Sequence, residues 1–529
     1  MHKHTVLFSL FLTVLIASAA VADESYPQSV FVASISGSQP DLRPHRAYNA
    51  DEAQIMTALY EGLFVYDPYT LEPMPGIAES WTVSKDGLEW KFTLRTNARF
   101  ETGETITAEQ VARSWRALLD PAVQAPYASL LDSISGAFAY RTGQTTDTDT
   151  IGISALDERT LQVRLERPTE HLSRILCHHA FSIIHPKDMA RGARNEAEAT
   201  LKPLSSGPFK LVSRDENSLV FEKNEHYWDA ARVSLPGLVI VISDDPEVLT
   251  ARFNRGEIHW LAGEMNLSKL ADTSLVRVSP MFATEFFFFR SVTGPWSDMR
   301  LRNAYLLTIP YAELRAERLI PAKTLVFPIS GYPELEGLEK TDPARARELV
   351  AEAGIGDPSL IPPLVVRIPD SASYRKIADI LVAAWTKEGF PATLEVVPFQ
   401  GYYASLRKND YGLGITSWIG DFADPLAFLE MFRPTSTLND SGWSNETFEN
   451  LIREASAEKS TEKRYGKLAD AERLLLSEGV IIPVGHNPSL NVIDTSALTG
   501  WYVNALDIHP FKFIKFIPGS ILPGVVMAR

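Results

Sequence analysis

Two carboxylates, Asp421 and Asp424, lie in a segment that is otherwise rich in aromatic side chains. Trp418, Phe422 and Phe428 favour a dry environment, and an ionised carboxylate is costly there unless a cation meets it. The pattern therefore predicts a site where a buried negative charge is matched by a cation, either from the chain or from a ligand. A carboxylate at this place can also cap the helix that follows.

The sequence carries none of the short motifs of the common catalytic sites. G-x-S-x-G, G-x-x-x-x-G-K-[ST], G-x-G-x-x-G and H-E-x-x-H are all missing. Aromatic residues and scattered single charges favour a cleft that binds and releases a ligand. We expect a binding protein with no catalytic residue and no cofactor.

A group of metal-binding residue types occurs once. Cys177, His178 and His179 are consecutive, and His171 and His185 are close in the chain. Their spacing fits no standard ligand pattern, so we expect no metal site. Cys177 is the only cysteine, and no internal disulfide can form.

The net charge limits the classes of partner, and the N-terminal sequence indicates the compartment. A net charge of −15 over 529 residues disfavours a nucleic-acid partner or an anionic membrane. An apolar run from Val6 to Ala17, followed by Ala20-Val21-Ala22, predicts a signal peptide over residues 1–22. The run is short for a bilayer, and no cysteine near the cut can carry a lipid. We expect a soluble periplasmic protein that is not a lipoprotein.

Strand and helix patterns alternate along the chain. A strand is predicted at 29–34, and a helix from Asp51, whose side chain can cap the first turn, to Gly62. Thr107 caps a second predicted helix, which ends at Asp120-Pro121. The run "LPGLVIVIS" is typical of a strand covered on both faces, and two late amphipathic helices are predicted at 444–459 and 461–478. The alternation indicates α/β architecture.

Five stretches together resemble the peptide-binding proteins of bacterial ABC importers, the family 5 extracellular solute-binding proteins that include oligopeptide- and dipeptide-binding proteins. The longest runs from Tyr60 to Pro121 and begins "YEGLFVYDPYTLEPMPGIAESW". The others are "SSGPFKLV" at Ser205, "FEKNEHYWDA" at Phe221, "WIGDFADPLAFLEMF" at Trp418 and "GWYVNALDIHPFKFIKF" at Gly500. They occur in the family's order over almost the whole chain.

The resemblance implies the bilobal class II periplasmic binding protein fold, with an extra subdomain in the first lobe and closure by hinge motion. Lobe I is expected to combine residues 23–50, 190–270 and 490–529. Residues 51–189 are expected to form its subdomain, and residues 271–489 lobe II.

The resemblance also implies a set of ligand-binding residues. Asp421 occupies the place of an aspartate that pairs with the α-amino group of the bound peptide, and capping is then assigned to Asp424. Extended-backbone pairing, which ignores side-chain identity, is implied around Trp418 and in the segment before the first helix. The full set of predicted ligand contacts is Asp421, Trp418, Ser417, Ile419, Tyr127, Tyr48, Asn49, Ala50, Phe399 and Tyr374.

One departure concerns the peptide carboxylate. Relatives that bind tri- and tetrapeptides have an arginine three residues before the tryptophan, where this chain has Ile415, and an apolar side chain cannot hold a carboxylate. Arg290, Arg375 and Arg407 are alternative candidates. Phe289-Arg290 and Pro310-Tyr311 also differ from the family pattern.

The expected function is capture of a short peptide and its delivery to an inner-membrane ABC permease complex by a monomeric, non-enzymatic receptor. Two alternatives stay open at this point. The same fold can hold a non-peptide solute such as a sugar, a nickel chelate or a haem-like compound. The other hypothesis is a secreted hydrolase built on unrecognised carboxylates.

Overall fold

A computed structural model of the chain describes residues 30–37, 39–192, 202–292, 294–399, 401–420, 424–458 and 460–519. The predicted signal peptide and the predicted ligand residue Asp421 lie outside these ranges. Within them, no helix combines the length and the apolar character that a membrane crossing requires.

Strands and helices alternate through these ranges. The strands are β1 (Phe31–Ser36), β2 (Phe64–Tyr66), β3 (Pro73–Pro75), β4 (Ala78–Val83), β5 (Glu89–Leu94), β6 (Ile153–Ala155), β7 (Thr160–Arg164), β8 (Phe209–Arg214), β9 (Ser218–Lys223), β10 (Gly237–Ser243), β11 (Trp260–Leu261), β12 (Val276–Pro280), β13 (Ala283–Phe289), β14 (Leu364–Pro369), β15 (Ala392–Val397), β16 (Leu413–Ile419), β17 (Ile481–Gly485), β18 (Pro488–Ile493), β19 (Leu498–Thr499) and β20 (Lys515–Phe516). The helices are α1 (Ala50–Leu59), α2 (Ala108–Leu119), α3 (Ala137–Arg141), α4 (Leu172–Ile175), α5 (Pro186–Gly192), α6 (Pro246–Asn254), α7 (Met299–Leu306), α8 (Tyr311–Leu314), α9 (Pro343–Glu352), α10 (Ala372–Lys387), α11 (Tyr402–Ser405), α12 (Leu426–Leu429), α13 (Glu446–Ala457) and α14 (Thr461–Ser477).

The first large sheet has seven strands in the order β12-β18-β11-β1-β10-β9-β8. β1 and β10 run parallel, and β9 and β8 continue the sheet as an antiparallel hairpin. Alternate residues of β1 belong to two different apolar clusters: Phe31 packs on one face and Val32 on the other. All of β10 except its last residue is buried, which confirms the strand predicted to be covered on both faces.

The second large sheet has five strands in the order β15-β14-β16-β13-β17. β14 is parallel to β15 and β16, and β13 is antiparallel to β16 and β17. α13 and α14 pack on each other at the predicted places. Parallel and antiparallel pairs joined by helices give the α/β architecture that the alternation predicted.

The third sheet is antiparallel, with the order β4-β5-β7-β6, and α2 packs against it. α2 begins as predicted, because the Thr107 hydroxyl accepts the Gln110 N–H and the Gln110 side chain accepts the Thr107 N–H. This reciprocal arrangement is the capping box.

The start of α1 differs from the prediction. The helix begins at Ala50 and ends at Leu59, with Asn49 as its N-cap residue. Glu52, not Asp51, satisfies the free backbone donors, accepting the Asn49 N–H at 3.0 Å and the Tyr48 N–H at 2.7 Å. The prediction that Asp51 caps this helix is therefore wrong.

The seven-stranded sheet extends beyond the predicted limits of lobe I. β12 lies after residue 270, and β18 begins two residues before residue 490, yet both are strands of this sheet. The division of the chain into lobes and a subdomain stays a prediction.

Candidate functional site

One large cavity gathers the predicted ligand residues. Its volume is about 1830 Å³. The nine predicted contacts in the described part of the chain all line it: Tyr48, Asn49, Ala50, Tyr127, Tyr374, Phe399, Ser417, Trp418 and Ile419. They come from α1 and the segment before it, from the region before β6, and from the five-stranded sheet and its connections, so residues distant in sequence converge on one space.

An aromatic cluster forms one wall of this cavity. The Tyr48 ring lies 5.0 Å from the Tyr403 ring and 6.0 Å from the Tyr127 ring, between centroids. Tyr127 lies 6.3 Å from Trp418 and donates its hydroxyl to the Tyr48 carbonyl at 3.2 Å. Trp418 is buried, and its indole N–H donates to the Ala427 carbonyl at 2.9 Å. The cluster offers rigid apolar surface for ligand side chains.

β16 leaves one backbone edge open beside this wall. β14 pairs with β16 only at Leu413 and Gly414. At Ile415 the Tyr402 hydroxyl takes over, accepting the N–H at 2.9 Å and lying 2.8 Å from the carbonyl oxygen. Because backbone groups alternate in direction along a strand, those of Ser417 and Ile419 point to the same side as those of Ile415, and no strand in the described part of the chain pairs with them there.

The segment before α1 differs from β16 in what it offers. The N–H groups of Tyr48 and Asn49 are already bonded to Glu52, and the Asn49 carbonyl accepts the Ala53 N–H. Tyr48 and Asn49 therefore contribute side chains rather than free backbone donors to the cavity.

In the aromatic-rich segment after Trp418, the carboxylate of Asp424 is already neutralised by a cation of the chain. Asp424 forms a two-point ion pair with Arg464 at 2.6 and 2.8 Å, and it accepts the Leu426 N–H at 2.9 Å at the start of α12. Asp421 lies outside the described residues, directly after Gly420, which lines the cavity.

Carboxylates outnumber cations around the cavity. Among the described residues, eight acidic and four basic side chains line it; the acidic ones are Asp41, Asp51, Glu52, Glu61, Asp244, Glu264, Asp370 and Asp440, and the basic ones Arg43, Arg46, Arg407 and Lys512. Two of the cations are used internally, because Arg43 pairs with Asp41 and Lys512 with Glu61. The surplus favours a ligand that carries positive charge.

The three arginines considered for a peptide carboxylate differ in their partners and in their position relative to the cavity. Arg375 pairs with Asp370, and Arg290 donates to the Asn409 side chain and to the Asp440 carbonyl. Arg407 lines the cavity and forms no ion pair within 4 Å in the described ranges. Of the three, Arg407 is the one that lines the cavity.

Two histidines, His178 and His179, lie beside the aromatic wall, and a third, His45, is close enough to His179 to be affected by its charge. The His178 and His179 rings are 4.1 Å apart, and the Tyr127 ring is 4.3 Å from His178. Burial lowers the pKa of His45 to about 3, with His179 adding a smaller effect, and burial lowers the pKa of His179 to about 4. All three are neutral at pH 7. No group of three metal-ligating side chains in the described part of the chain is placed to hold a metal ion.

We expect these histidines to make the protein acid-sensitive. A histidine whose pKa is lower in the folded state contributes stability that is present above about pH 6.5 and is lost as the pH falls towards 4, by up to about 1.4 kcal/mol per pH unit for each group. Urea unfolding midpoints measured from pH 7 to pH 4 should fall with pH. His179→Gln can keep the donor to the Ala47 carbonyl, which His179 contacts at 3.1 Å, without a titratable ring.

The His179→Gln protein should therefore show a shallower loss of stability on acidification than the wild type. An identical slope in the two proteins would contradict the assignment of His179 as a buried neutral group.

Sequence reasoning missed several residues of the cavity. Tyr403 lies on α11, close to the predicted contact Phe399 in the chain, and its ring centroid lies 6.2 Å from that of Phe399. Lys512 carried no local signal, because its partner Glu61 is distant in sequence.

Comparison with known proteins places these features in a wider group. The family described as "Bacterial extracellular solute-binding proteins, family 5 Middle" matches residues 72–440. The "Oligopeptide-binding protein OppA" of Bacillus subtilis (strain 168) is 28% identical over 466 residues, which cover 84% of this chain and 85% of OppA.

Solved structures show the same fold. The structure of the Escherichia coli murein tripeptide binding protein MppA aligns with a TM-score of 0.83 at 26% identity, covering 94% of this chain and 99% of MppA. An MppA structure described as the unliganded open form aligns with a TM-score of only 0.62 at 25% identity, covering 93% and 98%. These alignments confirm the predicted fold class, and the arrangement of this chain differs from that open form.

Proposed function

The chain belongs to the bacterial extracellular solute-binding proteins of family 5, and on that premise we propose that it captures short peptides and delivers them to an inner-membrane ABC permease. It acts as a monomeric receptor in the periplasm, where its signal peptide directs it, and it catalyses no reaction. Residues 23–50, 190–270 and 490–529 form lobe I, residues 51–189 its subdomain and residues 271–489 lobe II.

The open edge of β16 is the observation that supports a peptide ligand most directly. The backbone groups of Ser417 and Ile419 face the cavity side that β14 leaves unpaired. An extended peptide can add to such an edge as a further strand, and these hydrogen bonds do not depend on its side chains. A sugar or a haem-like compound has no matching ladder of donors and acceptors.

Ring contacts across the cavity support closure of the protein around its ligand. Tyr48 and Tyr127, on one side, contact Tyr403 and Trp418, on the other. The better alignment with one MppA structure than with its open form supports a closed arrangement. A peptide in the cavity is then enclosed by both lobes, and hinge opening releases it.

We expect a mixture of di- to pentapeptides to raise the melting temperature of the purified protein. A ligand that binds only the folded state stabilises it by RT ln(1 + [L]/Kd), about 2.7 kcal/mol at a concentration of 100 Kd. Differential scanning fluorimetry measures the shift. A sugar, a nickel chelate and haem at the same concentrations serve as controls and should give no shift.

A shift with one of these controls and none with peptides would support the non-peptide alternative. Turnover of a labelled peptide by the purified protein would support the hydrolase instead.

A further inference from the structure

Asp51 is a carboxylate of the cavity wall that the proposed peptide-binding contacts do not use. It occupies the first turn of α1 and lines the cavity. The capping role expected for it belongs to Glu52, which accepts the Tyr48 and Asn49 N–H groups. The Asp51 carboxylate forms no hydrogen bond or ion pair with any described residue, although it lies deep in the protein.

The accessible part of Asp51 faces the cavity rather than bulk solvent. Its side chain is only partly covered, yet the position is deep enough for burial to be the main cause that raises its pKa to about 7. A group that is both deep and accessible must have its exposed surface on an internal space. That space is the cavity, because Asp51 lines it.

The charged groups of the described residues that shift the pKa of Asp51 are negative. Glu52 on the same helix and Asp507 on the C-terminal segment both raise this pKa, and no basic side chain within the described ranges opposes them. Asp507 is held in place by the Asn491 amide at 2.9 Å and by the His509 ring at 3.1 Å. Its chain neighbours Leu506 and Ile508 line the cavity, so Asp507 fixes a negative charge close to the cavity wall.

A positively charged group of the ligand would neutralise the Asp51 carboxylate. Asp51 directly follows Tyr48, Asn49 and Ala50, the segment predicted to contact the peptide, so a ligand side chain is within reach of it. An alkylammonium or guanidinium group placed there would pair with a partly desolvated carboxylate, where charge-assisted hydrogen bonds are strong.

We propose that Asp51 receives a basic side chain of the bound peptide, so that the receptor prefers peptides with lysine or arginine at one position. This inference rests on the proposed function. It concerns a side-chain subsite and is separate from the contacts proposed for the α-amino group and the backbone. Asp51 acts here as a specificity-determining residue.

The test uses six tripeptides, Lys-Ala-Ala, Ala-Lys-Ala, Ala-Ala-Lys and the three counterparts with norleucine in place of lysine. Norleucine keeps the four-carbon side chain of lysine and removes the terminal amine. Isothermal titration calorimetry at pH 8 should show that lysine binds about tenfold or more tightly than norleucine at one position. Asp51→Asn should reduce this ratio to about one, while the norleucine peptides report that the variant still has a folded site.

Asp357→Asn is the matched control, because it removes one negative charge from an exposed turn outside the cavity and should keep the ratio. Lowering the pH to 5.5 should also reduce the ratio in the wild type, since protonation of Asp51 removes its charge. Both lysine and norleucine peptides carry the same α-amino group, so its titration cancels.

A ratio near one at every position in the wild type, or a preserved ratio in Asp51→Asn, would overturn the subsite and leave the proposed function intact. Failure of the wild type to bind any of the six peptides would contradict the proposed function itself, and the subsite with it.

Discussion

Asp421→Asn is expected to weaken the binding of an unmodified tripeptide by about 30-fold or more. The family resemblance places Asp421 opposite the peptide α-amino group, and the loss of one partner of a buried, hydrogen-bonded charge pair costs about 2–5 kcal/mol. The ammonium of the peptide would remain enclosed without its partner. Isothermal titration calorimetry at pH 7 measures the change.

N-acetylation of the same peptide tests the contact from the other side. Acetylation removes the positive charge, so the wild type should bind the acetylated peptide with a similar loss. Because both changes remove the same interaction, the variant should lose little further affinity when the peptide is acetylated, as in a double-mutant cycle. Additive losses would show that Asp421 and the α-amino group do not meet.

Asp424→Asn provides the matched control three residues away. Asp424 is already neutralised by Arg464, so its replacement should lower stability and leave the discrimination between free and acetylated peptides unchanged. If Asp424→Asn abolished this discrimination instead, the roles assigned to the two carboxylates would be exchanged.

Helices and strands were predicted well where the residues that determine them are close together in the sequence. The Thr107 cap lies within three residues of its partner Gln110, and the apolar run of β10 carries its burial in its own composition. The error at α1 had a readable alternative, since Asn49 and Glu52 also have the spacing of a capping box. Two competing starts one residue apart could not be separated by the cap residue type alone.

The candidate site was predicted from family resemblance rather than from periodicity. Tyr48, Tyr127, Tyr374 and Trp418 meet in one cavity, and nothing in their local patterns indicates that meeting. Long-range pairs escaped prediction for the same reason. Residues hundreds of positions apart leave no mark on each other's neighbourhood in a single sequence, and only the folded chain shows their contact.

Lys512→Met is expected to lower the free energy of unfolding by about 3–5 kcal/mol, because removing one partner of a buried ion pair leaves the other charge uncompensated. The Lys512 ammonium lies 2.8 Å from the Glu61 carboxylate, and both are buried. Tyr227 and Trp228 also donate to Glu61.

Three observations indicate that this ion pair holds the C-terminal segment to the rest of the cavity wall. Glu61 and Lys512 both line the cavity, they are 451 positions apart in the chain, and the Lys512 ammonium also donates to the Tyr227 hydroxyl at 3.0 Å.

Urea unfolding followed by tryptophan fluorescence measures the loss of stability in Lys512→Met. Lys323→Met is the matched control: its partner Glu339 and Lys323 itself are half exposed, and such a surface pair contributes only about 0–1 kcal/mol. Glu61→Gln combined with Lys512→Met should be less destabilised than the sum of the two single variants, because the second change removes the charge that the first leaves unpaired. Equal losses at positions 512 and 323 would show that water reaches Glu61 and that the C-terminal segment is not held by this pair.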